Sequence, residues 1–270
     1  MSFTKRYLTN NPCFKAGRVI SVTGLMLHSV GCSQPNPMVF INNWDRADYK
    51  NACVHGFIGE DETYITLPCM ETKGKATRGW HGASGPKGSC NNTHLGFEMC
   101  EPKQIKYTGG ATFTCSDKEA AVAFVKKTTA RAVELFAALC IFHGLDPLAD
   151  GVIISHAEGN KRGIASAHAD PDHLWRQLGM DYNMDTFRAD VAKAMTGKED
   201  DDMTPEKLAE LLPEAFAILA KKEPAPWAQE ALDWCKENGY MVGDGTGNQQ
   251  PMKPLLRQEA AQLIKNIIDR

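Results

Sequence analysis

Apolar positions along this chain fall into two kinds of run. Gly24-Leu25-Met26-Leu27-His28 and Gly151-Val152-Ile153-Ile154-Ser155-His156 are short and continuous, follow a glycine and end on a histidine; runs of this length predict buried strands. Between them, residues 52–58 and 63–68 predict a hairpin across Gly59-Glu60-Asp61-Glu62, and residues 94–99 a further strand. The second kind is periodic: Val122, Val125, Val133, Phe136 and Cys140 recur at helical spacing until Gly144. Ser116 with Glu119 three residues later has the form of a capping box at its start. Strands on both sides of a long amphipathic helix predict an α/β domain, a central mixed β-sheet flanked by helices, over residues 1–180.

Further along the pattern loosens. A short helix is expected at 185–195, and Gly197-Lys198-Glu199-Asp200-Asp201-Asp202 suits an acidic linker, so residues 181–203 form a helix and a connection. Thr204-Pro205 marks a new helix start, and residues 204–270 predict a small, separate α-helical domain. Within it Trp227, Ala231 and Trp234 share a helical face and are expected to form its core. Gly243-Asp244-Gly245-Thr246-Gly247 reads as a turn; it lacks the alternating oxygen ligands and closing glutamate of a calcium loop.

Composition narrows the chemistry. The chain has 270 residues, 43% of them hydrophobic, and a net charge of -3, so no field of one sign recruits nucleic acid or an anionic membrane. The N-terminus lacks the apolar stretch and cleavage site of a secretory signal, which predicts synthesis in a cytoplasm. Nine cysteines, an odd number without a CxxC pair, predict mostly reduced thiols.

His28 and His156, each ending a strand, are candidates for two ligands of a catalytic zinc, which takes three protein ligands and leaves a position open. The third is expected from His168-Ala169-Asp170-Pro171-Asp172-His173; spacing alone leaves His168, Asp170, Asp172 and His173 as alternatives.

Arg78-Gly79-Trp80-His81-Gly82-Ala83, followed by Asn91-Asn92-Thr93-His94-Leu95-Gly96-Phe97-Glu98, resembles the type 2 N-acetylmuramoyl-L-alanine amidases, a family that includes phage endolysins, recycling amidases and animal peptidoglycan recognition proteins. With His28, the hairpin holding His55, the long helix and Ser155-His156 in the family's order, the resemblance covers about residues 20–180. It implies zinc (Zn2+) as cofactor, with His28, His156 and Asp170 as ligands, and Glu98 as the catalytic carboxylate. Many members carry a lysine two residues before the third ligand; here that position is His168. His168 then either donates to the oxyanion, the favoured reading, or is itself a ligand with Asp170 behind it. Trp80, His81 and His55 are assigned to substrate binding, although His55 also reads as a structural residue.

Bacterial peptidoglycan is the implied substrate, cut between the lactyl group of muramic acid and L-alanine. A segment over about residues 224–268 resembles one S-layer homology repeat, which implies wall polysaccharide as a second partner. A catalytic domain with such a tail suits a phage or prophage endolysin that reaches the wall after holin-mediated release. The rival readings are a non-catalytic peptidoglycan-binding protein, a bacterial autolysin and a recycling amidase.

Overall fold

Strand alternation decides what each face of the sheet carries. The computed structural model describes residues 3–196, 205–240, 254 and 257–268. The chain divides into two compact units, Met1–Glu199 and Asp200–Arg270.

Among its described residues the first unit holds ten strands: β1 (Thr4–Lys5), β2 (Val19–Ser21), β3 (Gly24–Ser29), β4 (Gly56–Ile58), β5 (Thr63–Ile65), β6 (Lys75–Thr77), β7 (His94–Met99), β8 (Ile105–Gly109), β9 (Thr112–Cys115) and β10 (Ile153–Ser155). Six form the central sheet in the order β1-β5-β4-β7-β3-β10. It is mixed: β4 and β5 are the antiparallel hairpin expected from the sequence, while β7 pairs parallel with β4 and β3, and β3 with β10. The pairs β2–β6 and β8–β9 stand apart as two-stranded ribbons.

Leu25 and Leu27 of β3, Leu95, Phe97 and Met99 of β7 and Ile153 of β10 point to one side, into the main core. That side is covered by α3 (Lys118–His143), whose Val125, Ala132, Leu135, Phe136 and Leu139 are buried against them. Asp117, not Ser116, caps α3, accepting from the Ala120 N–H at 3.0 Å, while the Ser116 hydroxyl is taken up by the Gln104 carbonyl at 3.1 Å, so the helix begins one residue later than the capping-box reading. Gly144 ends it in the left-handed conformation that glycine adopts without strain.

Smaller helices complete the unit: α1 (Pro12–Ala16), α2 (Pro37–Trp44), α4 (His156–Lys161), α5 (Asp172–Gln177) and α6 (Met184–Thr196). α6 packs on α3, with the rings of Phe136 and Phe187 edge to face at 5.2 Å.

The second unit is helical among its described residues, with α7 (Pro205–Leu219), α8 (Gln229–Glu237) and α9 (Arg257–Ile268). Trp227 and Trp234 are 87% and 56% exposed, and Ala231 is exposed as well, so the expectation that they form a core is corrected. A nine-residue helix gives little to bury them against: Trp234 stacks on Tyr240 and lines a cavity of about 140 Å3 with Leu263 and Ile267. The acidic linker at 197–202, Thr204 of the proposed cap and the turn at 243–247 lie outside the described residues. No described helix is long and apolar enough to cross a membrane.

Candidate active site

The sheet face opposite α3 carries the polar groups. His28 of β3 and Glu98 of β7 are register partners on adjacent parallel strands, and both fall on the parity that points away from the main core. Gly96, two residues before Glu98, leaves space on this face: a Cβ there would run into the ring of His81.

His81 fills that space and fixes His28. His81 Nε2 donates to the His94 carbonyl at 3.1 Å, which leaves Nδ1 as an acceptor, and His28 Nε2 donates to it at 3.0 Å. In the neutral ring, a proton on Nε2 places the lone pair of His28 on Nδ1. That nitrogen lies 3.1 Å from His156 Nδ1 and 3.2 Å from Asp170 Oδ2.

His156 arrives differently from the sequence expectation. β10 stops at Ser155, and His156 is the first residue of α4. Ser155 and Glu158 make a complete capping box, and Arg188 of α6 pairs with Glu158 at 3.0 Å, so the helix start that carries His156 is held from two sides. His156 Nε2 contacts Ser166 Oγ at 3.2 Å and His168 Nδ1 at 3.1 Å, leaving Nδ1 to face His28 and, at 3.7 Å, Asp170 Oδ1.

Asp170 precedes a cis peptide bond to Pro171, and the Ser29 N–H also reaches its Oδ2, at 3.4 Å. Three electron-rich atoms from three separate elements thus converge. Ligand atoms about 2.0–2.2 Å from a tetrahedral zinc are roughly 3.3–3.6 Å apart; His28 Nδ1 stands near that separation from His156 Nδ1, at 3.1 Å, and from Asp170 Oδ2, at 3.2 Å, while His156 Nδ1 lies 3.7 Å from the other carboxylate oxygen, Oδ1. Two imidazoles and a carboxylate are also the donor types zinc takes, so the residues fit the ion.

The charges follow from burial. Burial brings His156 down to about 3, with the nearby His28 adding to it, and burial holds His81 well below its usual value, so both stay neutral. Burial opposes the charged form of His28 too, but its bond to Asp170 and the fields of Glu98 and Asp170 outweigh that and raise it. Burial likewise penalises the Asp170 carboxylate, yet the two histidines hold it below the ordinary range.

Glu98 Oε2 is sealed from water without a hydrogen-bond partner, and burial pushes the carboxyl up to about 7 against the pull of His28. A carboxyl that neither ionises fully nor stays protonated at neutral pH can move a proton in either direction.

His168 is exposed beside His156 and lines a cleft of about 440 Å3 together with Asp170, Ser29, Tyr107 and His173. Its Nδ1 lies 3.1 Å from His156 Nε2 and 3.3 Å from His156 Nδ1, at the edge of the His28–His156–Asp170 group rather than within it. Asp172 and His173 are outside that group.

Of the residues assigned to substrate, His55 is fully buried, with Nδ1 accepting from the Gly96 N–H at 3.0 Å and Nε2 donating to the Thr77 carbonyl at 2.8 Å. Both nitrogens of His81 are engaged as well. Neither ring has a free nitrogen for a sugar or peptide; His55 braces the sheet and His81 orients His28. Trp80 is half-buried and pairs its backbone with Cys53. Sequence reasoning missed Ser166 behind His156 and the network around Tyr107, because a serine in a loop and a tyrosine in an unrecognised hairpin carry no distinctive spacing.

No protein-family model matches the sequence, and no curated protein matches it. The fold resembles that of a bacterial hydrolase. Hydrolase AmiA of Staphylococcus aureus, solved in complex with its ligand, is 18% identical and superposes with a TM-score of 0.53 over 74% of this chain and 86% of its own. At that identity the likeness shows the fold alone. A mutant endolysin from Bacillus subtilis (17% identical, 71% and 99% covered, TM-score 0.47) and the N-acetylmuramyl-L-alanine amidase AmiD from E. coli (16%, 58% and 56%, 0.37) lie further off and carry no weight.

Proposed function

We propose that this protein is a zinc-dependent N-acetylmuramoyl-L-alanine amidase that hydrolyses the amide between the lactyl group of N-acetylmuramic acid and L-alanine in peptidoglycan. The observation that carries this is the meeting of three metal-donor atoms beside a carboxyl group whose Oε2 is sealed from water without a partner. His28, His156 and Asp170 would hold the ion, and Glu98 is the proton-transfer group.

An amide is a weak electrophile with a poor leaving group, and zinc bound here supplies Lewis acidity towards both the carbonyl and the attacking water. Glu98 accepts the proton of that water and delivers it to the nitrogen of L-alanine as the C–N bond breaks, a role that requires a group titrating near neutrality. His168, at the mouth of the cleft, donates to the carbonyl oxygen as negative charge develops on it. His81 keeps the His28 lone pair aimed inward throughout.

We assign residues 1–180 to catalysis, 181–203 to a helix and linker, and 204–270 to an S-layer-homology-like module that targets wall polysaccharide. The biological setting consistent with this is an endolysin made in the cytoplasm and released to the wall through a holin. The product distinguishes the reading: purified peptidoglycan treated with the protein should gain L-alanine amino termini. Release of reducing sugars instead would show a different bond cut, and wall binding without either product would make the chain a recognition protein.

A further inference from the structure

We infer that Tyr107 is a positioning residue for the metal centre, clamping the strand end that carries His28 to the loop that carries Asp170. The inference rests on the zinc reading above and adds residues to which that reading assigns no role.

Tyr107 lies on β8 beside a bulge in the β8–β9 ribbon, where the register shifts between Tyr107 and Gly109; bulges re-aim side chains. Its ring packs edge to face on Phe113 at 5.7 Å, and its hydroxyl is shared between two buried groups. It donates to Glu101 Oε2 at 2.8 Å and accepts from His173 Nε2 at 2.7 Å. Glu101 is fully buried, and its other oxygen accepts from the Gly31 N–H at 3.0 Å, three residues after His28. His173 is 3% exposed, and its backbone N–H bonds to the Ala169 carbonyl at 3.1 Å, one residue before Asp170.

These links close a ring: His28, Gly31, Glu101, Tyr107, His173, Ala169, Asp170 and back to His28. A buried carboxylate and a buried imidazole bridged by a half-buried phenol are costlier than an apolar wall of the same shape. What this arrangement achieves is a fixed separation between two ligands on elements 142 positions apart in the chain. Tyr107 holds the two sides together through one oxygen, while its ring forms part of the cleft wall.

The test is zinc affinity of the full chain, by competition with a chromophoric chelator, for wild type, Tyr107→Phe, Glu101→Gln and Tyr182→Phe. Removing partners that orient metal ligands costs about 10- to 100-fold in affinity, so Tyr107→Phe should raise the zinc Kd at least about tenfold and Glu101→Gln should raise it too. Tyr182→Phe deletes a comparable bond, to Asp190 at 2.7 Å, away from the site, and should leave the Kd unchanged. The cobalt(II) absorption of Tyr107→Phe should also differ from wild type, which a loss of stability alone would not produce. Wild-type affinity and an unaltered cobalt spectrum in Tyr107→Phe and Glu101→Gln would overturn the inference; were Tyr107→Phe not to fold, Glu101→Gln decides it. A wild type that binds no zinc would instead overturn the metal reading itself.

Discussion

The two faces of β3 and β7 are built from alternate residues of the same strands, yet they do opposite work. Leu25, Leu27, Leu95 and Phe97 bury apolar surface under α3, whereas His28, Gly96 and Glu98 gather polar groups that burial penalises. The first face provides stability, and the second spends part of it to hold ionisable groups out of water. Substitutions on one face should therefore separate cleanly from those on the other.

The largest separation is expected at neighbouring residues of β7. Glu98→Gln should lower amidase turnover about 10²- to 10⁴-fold while the protein stays folded and keeps its metal. Phe97→Ala, one residue earlier and facing α3, should cost about 3–5 kcal/mol in denaturant unfolding. If Glu98→Gln instead unfolded the protein with activity per folded molecule unchanged, the two faces would not differ in the way described.

Gly96→Ala tests how the polar face is shaped. Its methyl meets the His81 ring, so His28 loses its orienting partner; zinc affinity should fall about 10- to 100-fold, measured by chelator competition. A variant with unaltered affinity would mean His81 does not set the His28 tautomer.

Titration sharpens the same contrast. In metal-free protein Glu98 should titrate at about 7 rather than 4.5, followed by 13C chemical shift. Because the folded state then holds a proton that the unfolded chain has released, this group costs stability increasingly as pH rises from about 4.5 to 7. Zinc at the neighbouring donors favours the carboxylate, so its addition should move the titration down. The smallest effect is expected far from either feature: Asp117→Ala removes the α3 cap and should cost about 1 kcal/mol without changing zinc affinity.

How much of this was legible in the sequence follows the same division. The apolar face was readable because burial leaves a periodic trace: β3, β7, the β4–β5 hairpin and α3 were all anticipated from runs and spacing. The site was readable only as a set of residue types. The short β8–β9 ribbon was missed, and Tyr107 with it, since its alternation covers few residues. His156 was placed at the end of a strand although Ser155 and Glu158 already had the form of a capping box. The relation of His81 to His28 depends on a parallel register and on the missing side chain of Gly96, neither of which leaves a pattern in one chain. For the same reason His81 and His55 were read as substrate contacts when their nitrogens serve the protein's interior.

The central claim is that His28, His156 and Asp170 act together as one zinc site. The measurement that tests it most directly is zinc stoichiometry by equilibrium dialysis and elemental analysis, on wild type and on His28→Ala with its fold verified. The account predicts about one zinc per wild-type chain at low-micromolar free zinc and none retained by the variant under the same conditions. A folded wild type that takes up no zinc, or a His28→Ala protein that binds it as well as wild type, would contradict it.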